Sequence, residues 1–151
     1  MARTKRVPIK HESAVDGIVA DAFSTLEELG GEMREAYDNM PQSLQGGDVG
    51  SRRNEAASTL EGLSQPDAPD CVAQLAVTYF TMPPKRRYVS RSARRDEATT
   101  MLSAVVEALD AWMDDDANAE HDGRDGVDSY RDGVQALLDE AEGVEFPGMY
   151  G

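Results

Sequence analysis

A chain of 151 residues with a single cysteine, 15 basic and 29 acidic side chains is long enough to bury about 68–70% of its unfolded surface around one core, and it has no disulfide framework available. Its net charge of -14 opposes non-specific binding to nucleic acid or to an anionic membrane and favours basic partners. That charge is unevenly laid down: residues 1–84 carry -6, residues 85–95 carry +6, and residues 96–151 carry -14. Twelve arginines against three lysines, with abundant aspartate, alanine and glycine, match a GC-rich genome or a high-salt proteome, so part of the acidity is background.

The chain opens on "MARTKRVPIKH", basic and without hydrophobic period, which reads as a flexible arm over residues 1–11. Polar His11, Glu12 and Ser13 follow it where a secretory signal would turn apolar. No apolar run reaches membrane-spanning length. The expected location is therefore a reducing cytoplasm, or a virion assembled in the host cytoplasm.

A first helix is predicted from Ser13, a candidate N-cap, to Met40, where Pro41 stops it. Its apolar residues Val15, Val19, Ala22, Leu26, Leu29, Met33, Ala36 and Met40 step by four and three, with a bend expected at Gly30 and Gly31. The stretch "PQSLQGGDVG" reads as a loop. A shorter helix follows over about Ser51–Leu63, burying Ala56, Ala57, Leu60 and Leu63. In "CVAQLAVTYFTM", Cys71 to Met82, periodicity does not separate helix from strand, and the lack of a second strand candidate favours helix. Two long helices close the pattern, about Ser92–Met113 with Ala98, Leu102, Val105, Leu109 and Trp112, and about Gly126–Glu142 with Val127, Tyr130, Val134, Leu137 and Ala141.

These stripes predict an all-α fold, an antiparallel helical bundle of three long and one or two short helices with irregular N- and C-terminal tails. A single helical domain then spans residues 12–142, and residues 143–151 form a C-terminal tail.

Little in the sequence supports catalysis. There is no nucleophile elbow and no phosphate-binding glycine loop, and both histidines fall in segments that read as irregular. Cys71 reads as a small core residue rather than a reactive thiol. The turn "DDDANAEHDGRD" has the length of a calcium loop, with Asp114, Asp116, Asn118 and Asp125 at the first, third, fifth and twelfth places. Ala119, however, stands where the loop needs its turn glycine, and the closing glutamate is an aspartate. A solvated acidic turn is the better reading, and neither a metal nor a cofactor is expected. His11, His121 and Cys71 do not supply a zinc set at any recognised spacing. The expectation is a protein that is not an enzyme.

The stretch "PPKRRYVSRSARR", Pro83 to Arg95, is the chain's one strongly basic segment. Its arginines are expected to pair internally with the acidic faces of the last two helices. The alternatives are an acidic protein surface, or nucleic acid, with Arg3, Lys5, Arg6 and Lys10 as a second arm and Tyr88 stacking on a base. The candidate partner-binding residues are Arg86, Arg87, Tyr88, Arg91, Arg94 and Arg95, with Phe146 and Tyr150 of the C-terminal tail.

The segment Glu32 to Asp67, through its helix end "EMREAYDNMP", its turn "SLQ" and its helix opening "EAASTLE", resembles small helical proteins encoded by tailed bacteriophages and related mobile elements. The resemblance covers about a quarter of the chain. It implies a phage accessory or virion protein and brings no catalytic residue with it. The expected function is a non-enzymatic interaction protein docking onto a phage or host protein; the alternative is an acidic DNA mimic or nucleic-acid-associated regulator. Oligomeric state is left open by the sequence.

Overall fold

Where apolar residues recur every three or four positions, one side of the chain must leave water, and helices form along those stretches. The computed structural model describes residues 6–84 and 89–147. Its helices are α1 (Val15–Asp38), α2 (Gln42–Gln45), α3 (Asp48–Glu61), α4 (Asp70–Ala73), α5 (Arg91–Asp114) and α6 (Arg124–Glu142), with a 3-10 turn at Asp116–Asn118. The chain is mostly helical, as the stripes predict.

It is not all-α. Strands β1 (Ile9–Ala14) and β2 (Ala76–Thr81) form a two-stranded antiparallel sheet, in a register running from Ile9 opposite Thr81 to Ala14 opposite Ala76. The segment expected to be helical over Cys71–Met82 instead splits into the single turn of α4 and the strand β2. In β2 only Val77 is buried, while Ala76, Thr78 and Phe80 are exposed. That is the alternation of a strand with one covered face. Its partner β1, "IKHESA", has no apolar alternation to announce it; cross-strand pairing makes it a strand. Ser13 consequently lies in β1, and the N-cap of α1 is Ala14, in extended backbone (φ -79°, ψ 150°) with no side-chain cap. His11 likewise belongs to a strand, where its ring stacks on Tyr79 with centroids 4.8 Å apart and Nε2 lies 2.7 Å from Thr81 Oγ1.

One core joins α1, α3, α4, α5, α6 and β2. α1 packs against α3 and α5, and α5 packs against α6 and β2. Ile18, Leu26, Leu29, Leu60, Leu102, Val105, Leu109 and Val127 are fully buried in it. α1 stays helical through Gly30 and Gly31. Gly30 is buried where α1 meets α3, and a Cβ there would stand 3.0 Å from the Leu60 Cβ, so it serves close approach rather than a break in the helix. Arg34 then clasps the pair, reaching Glu61 at 2.7 Å and Asn54 at 2.7 Å on α3. Beyond α6, Val144 and Phe146 are buried and continue the core.

Cys71 departs from its expected place. Its thiol is exposed, because α4 turns Val72 rather than Cys71 inward.

Candidate functional site

The basic segment carries most of the candidate partner-binding residues. Arg86, Arg87 and Tyr88, with Tyr150, lie outside the described residues. The other candidates are engaged within the chain. Ser90 caps α5, accepting a hydrogen bond from the Ala93 N–H at 3.1 Å, and this places Arg91, Arg94 and Arg95 in the first turns of the helix. Cations are unfavourable at that end of a helix dipole, and α1 supplies the compensation. Arg94 Nη1 sits 2.7 Å from Glu32 Oε2 and Nη2 3.6 Å from Glu28 Oε2, while Arg91 Nε lies 3.4 Å from Glu32 Oε1.

Arg95 does something different. Nη1 donates to the carbonyl oxygens of Ala141 (3.2 Å) and Glu142 (3.4 Å), in the last turn of α6, where carbonyls lack intrahelical donors, and of Val144 (2.5 Å) just beyond the helix. Its guanidinium also lies 5.7 Å over the Phe146 ring, and Phe146 is only 8% exposed. Internal pairing thus holds for these three arginines, but its carboxylates belong to α1. The acidic α5–α6 pair is met through Asp96 and through backbone carbonyls.

The acidic block itself is displayed. Of its sixteen carboxylates, all but Asp110 are exposed. Among the described residues, Asp96, Asp110, Asp132 and Glu145 are the members paired with arginine. Arg131 joins α6 to α5 with two hydrogen bonds to the Asp110 carboxylate, at 2.9 and 3.3 Å. Those bonds, followed by the nearby charges, push its already high pKa further up.

At the turn between α5 and α6, Asp114, Asp116 and Asp125 point to solvent. The carbonyls ending α5 are taken by the chain's own groups. Arg124 Nη1 donates to Met113 O at 2.8 Å and to Asn118 O at 3.3 Å, and Asn118 Nδ2 donates to Trp112 O at 3.1 Å. Among the described residues no three His, Cys, Asp or Glu side chains converge on a metal position, and no helix is long and apolar enough to cross a membrane.

Buried groups that titrate are few. Tyr130, 4% exposed, has a hydroxyl without a hydrogen-bond partner among the described residues. Burial, and then the charges of Asp16 and Asp67, push its pKa up to about 12. Tyr79 is raised by burial and by Asp21 and Glu97.

Among the described residues an apolar concavity lies elsewhere, in the stretch read from sequence as a loop. "PQSLQGGDVG" folds into α2 and the start of α3. Gln45 ties it to the end of α1, its Nε2 donating to Tyr37 O (3.2 Å) and Met40 O (3.3 Å). Gly50 permits the return, since a Cβ there would collide with the Gln45 backbone. The result is a groove of about 660 Å³ lined by Ala36, Met40, Pro41, Leu44 and Val49, with Asn39, Asp48 and Arg53 at its polar edge. Leu44 is 56% and Val49 41% exposed. Two apolar side chains inside a loop-like, glycine-rich stretch were the only sequence signal for it. No known protein family, curated protein or solved structure matches the chain.

Proposed function

We propose that this chain is a non-enzymatic interaction protein, encoded by a phage, whose longer helices form an antiparallel bundle and which docks onto a phage or host protein through the groove between α1, α2 and α3. The observation that supports this reading is the solvent-facing pair Leu44 and Val49 on the wall of an apolar groove of about 660 Å³. Apolar surface left in water forgoes about 25 cal/mol per Å² of burial, and a partner's apolar anchor entering the groove recovers it. Asp48 and Arg53 at the rim offer the polar contacts that orient such an anchor. The groove also falls inside the phage-like segment Glu32 to Asp67.

The displayed carboxylates of α5 and α6 favour a partner with a basic surface. They also support the second reading, an acidic DNA mimic, in which the partner is a DNA-binding protein. A pull-down from a lysate of the native host tests both. Leu44→Asp lies on an exposed position and leaves the fold intact, so it should lose the bound protein that the parent retains. A partner captured equally by both chains would reject the groove. Displacement of a captured partner by duplex DNA would favour the mimic.

A further inference from the structure

We propose that β1 is a self-complementary edge and that two copies of the chain associate through it, antiparallel, to form a continuous four-stranded sheet. Among the described residues β2 is the only strand paired with β1, and Ile9, Lys10, Glu12 and Ser13 are exposed along it. A sheet edge carries backbone N–H and C=O groups that can template another strand.

The hydrogen-bond alternation identifies which groups those are. Val15 N–H donates to Leu75 O at 3.0 Å, continuing the register in which Ala14 lies opposite Ala76. In an antiparallel ladder, bonded pairs alternate with unbonded ones. The bonded pairs are therefore Ser13 with Val77, His11 with Tyr79, and Ile9 with Thr81. Lys10 and Glu12 turn their backbone groups outward, to the open edge. The side chains of Lys10 and Glu12 share the face opposite buried Val77, and neither is ion-paired among the described residues.

A second copy brought up antiparallel must match outward-facing residues with outward-facing residues, which restricts the register to steps of two. With the two-fold axis at His11, each Lys10 stands opposite the other copy's Glu12, so both ion pairs form at once. Moving the axis to Lys10 sets lysine against lysine, and moving it to Glu12 sets glutamate against glutamate. Opposite charges directly across a ladder stabilise it and like charges destabilise it, so the alternating Lys10 and Glu12 select one register. The contact is isologous and closes on itself as a dimer. The matched pairs act at contact, where the mutual repulsion of two chains of charge -14 is screened over a Debye length of about 8 Å in physiological salt.

A six-residue edge is smaller than the interfaces of about 1,600 Å² that hold stable complexes, so the dimer is a weak one and concentration must be varied to see it. Sedimentation velocity of the full chain in about 0.15 M salt should show a monomer–dimer equilibrium complete by roughly 1 mM. Lys10→Glu alone and Glu12→Lys alone each place two like-charged pairs in the interface and should weaken association roughly tenfold or more. An equimolar mixture of these two variants restores both opposite-charge pairs and should dimerise at least as well as the parent. The doubly exchanged chain, Lys10→Glu with Glu12→Lys, should also dimerise, and it keeps the test informative if a single variant folds poorly. A parent chain that remains monomeric throughout, or single variants that associate like the parent, or a mixture that fails to associate, would overturn the proposal.

Discussion

Arg95→Gln tests the contribution of the most buried arginine that bonds the end of α6. The wild-type guanidinium ties the start of α5 to the carbonyls of Ala141 and Glu142, at the end of α6, and of Val144 just beyond it, at 3.2, 3.4 and 2.5 Å, and lies over the Phe146 ring. The side chain is 15% exposed, so solvent screens these contacts weakly. A hydrogen bond from a charged donor contributes about 1.5–3 kcal/mol net, and a cation at a partly buried helix C-terminus up to about 2 kcal/mol. These overlap, because one nitrogen makes all three contacts. The ring contact adds about 0.5–1 kcal/mol. The expected loss is roughly 2–3 kcal/mol, which for a chain of this size lowers Tm by about 4–12 °C. Differential scanning calorimetry at low and high salt supplies the assay. The Arg95→Gln loss should persist in high salt, whereas Arg91→Gln with Arg94→Gln, which removes ion pairs to 35%-exposed Glu32 and 71%-exposed Glu28, should lose about 1 kcal/mol or less, and less still as salt rises. Melting of Arg95→Gln within about 0.5 kcal/mol of the parent would refute the assignment of Arg95 as the cap of α6.

Leu109→Asp places an unpaired charge at a fully buried position and should cost at least about 3 kcal/mol; circular dichroism that shows parent-like thermal stability would remove Leu109 from the core. The raised pKa of Tyr130, about 12 against 10.0, means the folded chain holds that proton more tightly than the unfolded one. Its contribution is therefore complete below pH 10.0 and is lost as pH rises through about 12, at up to about 1.4 kcal/mol per pH unit. Tyr130→Phe, which deletes the unpartnered hydroxyl, should match or exceed the parent's stability at neutral pH in urea denaturation and flatten that alkaline decline. A parent and variant with the same alkaline slope would assign the decline to other groups. Millimolar Ca²⁺ should move Tm by less than about 1 °C, and a saturable stabilisation abolished by Asp114→Ala would show that the α5–α6 turn binds the ion after all.

The helices were legible because their signal is local. A stripe such as Ala98, Leu102, Val105 and Leu109 fixes both the helix and its buried side, and all four are buried in α5. The sheet was not legible, because β1 is a strand through its partner: "IKHESA" acquires its conformation from the ladder with Ala76–Thr81, some seventy residues away. The ambiguity over Cys71–Met82 was resolved for the same reason, by a neighbour the sequence does not advertise. The basic segment followed a similar course. Its charge was plain in the sequence, but helix packing decided that Arg91 and Arg94 meet Glu28 and Glu32 of α1 and left the acidic block exposed. The groove beside Leu44 and Val49 needed the return of α3 across the end of α1. Hydrophobic period is written along the chain and can be read from it, whereas strand pairing, ion-pair choice and concavity depend on which distant segments the core brings together.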